Sequence, residues 1–119
     1  EVIIGSAFKV YNTLGFGFLE SVYEKSLLIE LQKQGICVKS QAPVKVHYEG
    51  QIVGDFMADL LIKDRLIIEL KSVSQLAKVH EVQLVNYLTA TKIANGLLIN
   101  FGLEKVEVKR KYKTYQKTK

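Results

Sequence analysis

The chain has 119 residues, a net charge of +5 and an isoelectric point near 9.3. That length gives room for one domain with one core, and 48% hydrophobic residues with a single proline imply a compact, largely regular chain. Cys37 is the only cysteine, which excludes an internal disulfide and zinc cages built from several thiolates.

A lone thiol points to a reducing, cytoplasmic setting. No apolar run approaches the roughly 20 residues of a bilayer span. No signal peptide is visible, although the sequence opens at Glu1 rather than Met, which leaves room for an N-terminal piece ahead of it. Basic residues concentrate from about 105 onward: Lys105, Lys109, Arg110, Lys111, Lys113, Lys117 and Lys119. On charge alone a surface for a polyanion such as nucleic acid and a solubilising tail are equally good readings.

Taken in order, residues 2–14 read as a helix in which Ile4, Phe8, Val10, Tyr11 and Leu14 recur at helical spacing. Gly15-Phe16-Gly17 turns the chain. A second helix is expected over 19–34, with Leu19, Val22, Tyr23, Leu27 and Leu31 as its buried stripe and Gly35 as its C-terminal stop. Ile36 and Val38 read as an edge piece. Val44, Val46 and Tyr48 alternate with polar residues as a half-exposed strand ending at Glu49-Gly50. Residues 52–62 form the next strand, with Gly54 marking a bend and Asp55 at the rim. Residues 66–72 complete a three-stranded meander.

A third helix is expected over 76–92, with Val79, Val82, Leu84, Val85 and Leu88 covering much of its circumference. Residues 97–101 are a compact apolar strand. The strand–helix–strand connection leading to it favours a parallel, right-handed crossover. Val106 and Val108 suggest a short last strand leading into the basic end. The order α-α-β-β-β-α-β describes an α/β fold with a mixed central sheet and helices on both faces.

The chemistry concentrates in one hairpin. Two branched, apolar runs flank Lys63-Asp64-Arg65, so that Ile62 faces Leu66 and Leu60 faces Ile68. The same register sets Asp59 opposite Glu69, with Cβ atoms roughly 4.5–5.5 Å apart. Lys71 shares their face through the two-residue period of a strand. Leu61 and Ile67 lie on that charged face, and Leu60, Ile62, Ile68 and Leu70 on the other. Two opposed carboxylates inside a sheet repel, and leaving them buried and unpaired costs several kcal/mol. A structural ion pair of Lys71 with one carboxylate is the simpler reading, but it leaves the second carboxylate unexplained. A divalent cation between them removes the conflict, and an oxygen-only donor set suits Mg²⁺ or Mn²⁺ rather than zinc.

Asp59, then Glu69-Leu70-Lys71 ten residues later in this element order, resembles the PD-(D/E)XK nuclease superfamily. Gly17-Phe18-Leu19-Glu20-Ser21-Val22-Tyr23 resembles the name-giving motif of the small bacterial and archaeal GxxExxY proteins assigned to it. His80-Glu81-Val82-Gln83-Leu84-Val85-Asn86-Tyr87 resembles that family's next segment and contains the Gln-x-x-x-Tyr element of related exonucleases. Gly96 to Gly102 is similar to the strand that follows, so the resemblance spans nearly the whole chain. Ala58 stands where the superfamily's name has Pro, a position that supplies no ligand.

The resemblance implies a restriction-endonuclease-like core over 1–119 and a metal-dependent nuclease acting on phosphodiester bonds, in DNA above RNA. It implies Asp59 and Glu69 as metal ligands with the Leu70 carbonyl as a third, and Mg²⁺ as cofactor with Mn²⁺ as substitute. Lys71 would orient the attacking water and offset charge on the phosphate. Glu20 would serve the metal directly or through water, and Gln83, Tyr87 and His80 would contact substrate. Beside these stand plainer roles: Glu20 favoured by its helix dipole, Tyr23 in packing, Gln83 and Tyr87 as a hydrogen-bonded pair, His80 structural and His47 facing solvent. Two other functions stay open: a catalytically silent nucleic-acid-binding or assembly module on the same fold, and a junction-resolving homodimer. So near-bare a core leaves room for a second copy or a partner protein to help grip a duplex.

Overall fold

The computed structural model of the chain describes residues 1–114. The helices are α1 (Val2–Leu14), α2 (Glu20–Lys33) and α3 (Lys78–Thr91), and the strands are β1 (Val38–Tyr48), β2 (Gln51–Ile62), β3 (Leu66–Lys71), β4 (Asn95–Phe101) and β5 (Val106–Tyr112). They form one mixed sheet in the order β1-β2-β3-β4-β5, with β3 and β4 parallel and every other neighbour antiparallel. Among the described residues no helix is long and apolar enough to cross a membrane.

The two sheet faces carry separate cores. Leu60, Ile62, Ile68, Leu70, Leu97, Ile99 and Phe101 pack under α1 and α2. Ile67, Leu98, Ala58, Ala42 and Val44 pack under α3 through Leu84, Tyr87 and Leu88, with Leu61 against them. The hairpin register is the expected one, with Leu60 opposite Ile68 and Ile62 opposite Leu66.

Gly15 and Gly17 take φ of 74° and 114°, values that a side chain resists, and so turn the chain between α1 and α2. Gly96 answers a different need. A Cβ there would lie 2.9 Å from Leu84 Cδ1, so the missing side chain is what lets α3 settle onto β4.

Several expectations are corrected. The buried stripe of α1 is Ile3, Ser6, Ala7 and Val10, whereas Phe8 is 44% exposed. The helix lies close to α2 through the small Ala7, and Ser6 is satisfied by Gln34 Nε2 at 2.7 Å, so the polar residue goes in and the large one out. Leu19 precedes the first turn of α2 and is 77% exposed. Val79 and Val82 of α3 face outward too, and Tyr87 takes the buried place.

Val38 of the expected edge piece and the strand through Tyr48 are one strand, β1, and Ile36 precedes it. Gln41, at φ 53°, drops out of the pairing between Ser40 and Ala42 without changing the register, and the register shift of this pair of strands lies at Val46/His47. The basic end is not simply a tail. Lys109, Arg110 and Lys111 belong to β5, which pairs with β4. Arg110 bonds Glu1 at 2.8 Å and Lys111 bonds Glu81 at 2.7 Å. Lys117 and Lys119 lie outside the described residues.

Candidate active site

The site begins where two strands part. The ladder between β2 and β3 covers only Leu60–Ile62 against Leu66–Ile68. Before Leu60, β2 follows β1, with Ala58 opposite Ala42; after Ile68, β3 continues along β4, with Lys71 opposite Asn100. Asp59 and Glu69 are the first residues past the end of their ladder. Their side chains take over the lost backbone bonds: the Asp59 N–H donates to Glu69 Oε2 at 2.9 Å, and the Leu70 N–H donates to Asp59 Oδ2 at 2.7 Å. Each carboxylate thus has one oxygen engaged. Among the described residues the other oxygen of each accepts no hydrogen bond.

Burial and like charge act on this pair together. Glu69 is buried; desolvation first and the Asp59 charge second push its carboxyl up to about 8, against the bond from the Asp59 N–H and the charge of Lys71. Desolvation pushes Asp59 up to about 6, opposed by the Leu70 N–H and Lys71 and aided by the charges of Glu24 and Glu20. Proton affinity of this kind is what a cation can replace.

The donor set fits a hard divalent ion. Mg²⁺ commonly uses one or two carboxylates and keeps several waters, and here two carboxylates converge, each with an oxygen to spare. Among the described residues no third His, Cys, Asp or Glu joins them in a metal-holding group. Glu20, the first residue of α2 and exposed, acts on both carboxylates through its charge. Glu24, one turn further on, was not singled out from the sequence, though an acidic residue four after Glu20 shares its helix face. It accepts bonds from Ser40 Oγ at 2.9 Å and Gln41 Nε2 at 2.7 Å, tying α2 to β1 at its left-handed residue.

On the other face, Gln83 Nε2 donates to the Tyr87 hydroxyl at 3.3 Å. Burial and the negative charge of Glu69 both raise the Tyr87 phenol, and Tyr87 packs with Ala58 and Ile67 on the strands that carry the two carboxylates. His80 is also tied to its own helix. Its Nδ1 accepts the Ala77 N–H at 3.0 Å and so closes the first turn of α3. Gln83, Tyr87 and His80 all line a groove of about 890 Å³ between α3 and the outer half of the β1–β2 hairpin.

Two supports stand behind the charged residues. Tyr23 is fully buried and stacks on Phe101 with ring centroids 4.3 Å apart. Its hydroxyl donates to the Gly15 carbonyl and accepts the Phe18 N–H at 3.3 Å, and Ser72 Oγ donates to the Phe18 carbonyl at 2.7 Å. The Gly15–Phe18 turn is thereby fixed to the residue after Lys71.

Asn100, also fully buried, grips the other side of that segment. Its Oδ1 accepts the Val73 N–H at 2.9 Å, and its Nδ2 donates to the Val73 carbonyl and to Glu107 Oε1, each at 2.9 Å. A polar residue inside the apolar run of 97–101 was the available signal for this clamp; the part of Glu107 had none.

A family model described as the PD-(D/E)XK nuclease superfamily matches residues 1–111. No curated protein matches the sequence. Among solved structures, one titled "Crystal structure of SSO0001" is similar at a TM-score of 0.62 and 18% identity. The similarity covers 81% of this chain and 52% of that one, so the present chain spans about half of its length and shares its fold.

Proposed function

The chain belongs to the PD-(D/E)XK nuclease superfamily, and from that premise we propose that it is a metal-dependent nuclease hydrolysing phosphodiester bonds in DNA. On this reading residues 1–119 are one nuclease-like domain of the GxxExxY type. The observation that carries the proposal is the pair Asp59 and Glu69 at the parting of β2 and β3, each holding one oxygen back from the protein's own hydrogen bonds, with the charge of Lys71 acting on both.

Asp59 and Glu69 would hold Mg²⁺, or Mn²⁺ in its place, with the Leu70 carbonyl as a third protein ligand. When bound, such an ion polarises a scissile phosphate and eases deprotonation of water. Lys71 positions the attacking water and places positive charge where negative charge develops on the phosphate. Glu20 holds water at the acidic side of the site. Gln83 and Tyr87 position the strand from the α3 face.

The test is cleavage of labelled single-stranded and duplex DNA with Mg²⁺ or Mn²⁺, comparing the protein with Lys71→Ala and Glu69→Gln. Metal-dependent cutting lost in both variants supports the proposal. Absence of cutting on any substrate, with salt-sensitive DNA binding kept in all three proteins, would replace it with a binding module on a nuclease fold.

A further inference from the structure

Tyr87 has two neighbourhoods: Ala58 and Ile67, on the strands that carry the carboxylate pair, and the groove between α3 and the β1–β2 hairpin. At about 890 Å³ the groove falls within the roughly 300–1,000 Å³ of ligand-sized sites. Its chemistry is mixed in a specific way. Phe56, Val79 and Val82 give it apolar walls although all three are roughly half exposed or more. Gln83 and Asn86 add amides that both donate and accept. Lys92 lies on its lining, and Lys113 is bonded to its lining residue Thr89 at 2.7 Å. Among the described residues no carboxylate lines the groove.

The Phe56 ring is held in place by an absence. It lies across Gly54, where a Cβ would come within 2.9 Å of Phe56 Cε2, and its centroid is 5.8 Å from that of Tyr87 at an interplanar angle of 36°. An accessible aromatic face thus stands beside amide donors and acceptors, with no carboxylate among the described lining residues, and Tyr87 joins the groove to Ala58 and Ile67 on the strands that carry Asp59 and Glu69. A flat, heteroaromatic group with a hydrogen-bonding edge, attached to a polyanion, matches each of these features.

We infer that this groove receives an unpaired nucleobase of the DNA strand whose phosphate is presented to Asp59 and Glu69. The inference rests on the nuclease reading for the position of that phosphate. It makes the substrate a strand with at least one base outside a duplex, because a paired, stacked base cannot reach a side-chain face. Phe56 stacks on the base, Gln83 and Asn86 meet its edge, and Lys92 and Lys113 suit a neighbouring phosphate.

The experiment is fluorescence anisotropy with labelled single-stranded and duplex DNA, Ca²⁺ replacing Mg²⁺. The expected result is that Phe56→Ala weakens single-strand binding about tenfold or more, leaves duplex binding unchanged, and is rescued by Phe56→Tyr. Gly54→Ala, which displaces the ring while keeping it, gives a loss of the same kind. One abasic nucleotide in the strand costs the unsubstituted protein as much as Phe56→Ala does, and costs that variant nothing more.

Single-strand affinity indifferent to Phe56, or equal losses on single strand and duplex, would overturn the inference. So would a change from dimer to monomer in sedimentation with DNA affinity intact, which names a second copy as the occupant. Failure of the nuclease reading is distinguishable. A protein that never cuts yet binds in a base-dependent way through Phe56 sustains the groove and loses the enzyme. One that cuts normally and ignores the abasic site sustains the enzyme and loses the groove.

Discussion

Asp59 and Glu69 are bound to each other's strands: the Asp59 N–H meets Glu69 Oε2 at 2.9 Å, and Asp59 Oδ2 meets the N–H of Leu70, the residue after Glu69, at 2.7 Å. Two groups that repel as anions therefore hold together the place where β2 and β3 separate. Glu69→Gln keeps an oxygen acceptor for the Asp59 N–H while removing a buried charge. Its metal-free form is expected to melt several degrees above the unsubstituted protein at pH 8, and its cleavage rate to fall by about 10²-fold or more. Thermal melting and a single-turnover cleavage assay on the same preparations check both halves.

The pair also sets a pH dependence. Both carboxyls are raised in the folded protein, to about 6 and about 8, above the roughly 4 of an unfolded chain. Between those values the folded state binds more protons than the unfolded one, so stability falls as pH rises. The metal-free protein should be most stable near pH 4–5 and lose stability steadily up to about pH 8. Mg²⁺ should raise the melting temperature clearly at pH 8 and little at pH 5, with protons released on binding in the range between. Melting curves with EDTA and with Mg²⁺ across that range would reveal a wrong sign at once.

Tyr23 holds the turn ahead of α2 by its hydroxyl and the core by its ring. Tyr23→Phe keeps the stacking on Phe101 but strands the Gly15 carbonyl and the Phe18 N–H, at a cost of about 1–3 kcal/mol. Tyr23→Ala loses the packing as well and should cost about 3–5 kcal/mol. Urea unfolding separates the two, and a Phe variant as stable as the parent would show the hydroxyl bonds to be idle.

Asn100 should prove intolerant even of its nearest relative. Asn100→Ala leaves both Val73 groups unpaired, an effect of about 1–3 kcal/mol. Asn100→Asp at pH 8 should be worse, because the new carboxylate cannot donate to Glu107 and faces its charge instead. Lowering the pH should narrow the gap between the two variants, as measured by unfolding at pH 5 and 8.

What could be read from the sequence was what is local. The hairpin register followed from two branched runs around Lys63-Asp64-Arg65, and the parallel pairing of β3 with β4 from the handedness of a strand–helix–strand unit. The phase of α1 was not legible, because choosing Ala7 over Phe8 for the interior depends on how closely α2 approaches. Val79 and Val82 look like core in a helical wheel. They face outward because β1 and β2 run past α3 as a long arm that leaves a groove instead of a wall. The parting of β2 from β3 was equally hidden: counting residues puts Asp59 opposite Glu69, but only the competing partners β1 and β4 reveal that the backbone ladder stops one pair short. Asn100 joins Val73 and Glu107 across separations that no periodicity encodes.

The position of the charged pair within a single hairpin has a consequence for the order of assembly. Asp59, Glu69 and Lys71 come together when a three-residue turn closes, an event of about 1–10 μs. Phe101 and Asn100 arrive only after α3 has crossed the sheet, with the larger loop-closure entropy that such a connection carries. The chain therefore meets its own electrostatic conflict early, before the supports that justify it are present. If that hairpin is part of the folding nucleus, refolding at pH 5 outpaces refolding at pH 8 by more than unfolding slows, and the carboxylate pair would be a kinetic bottleneck of the chain.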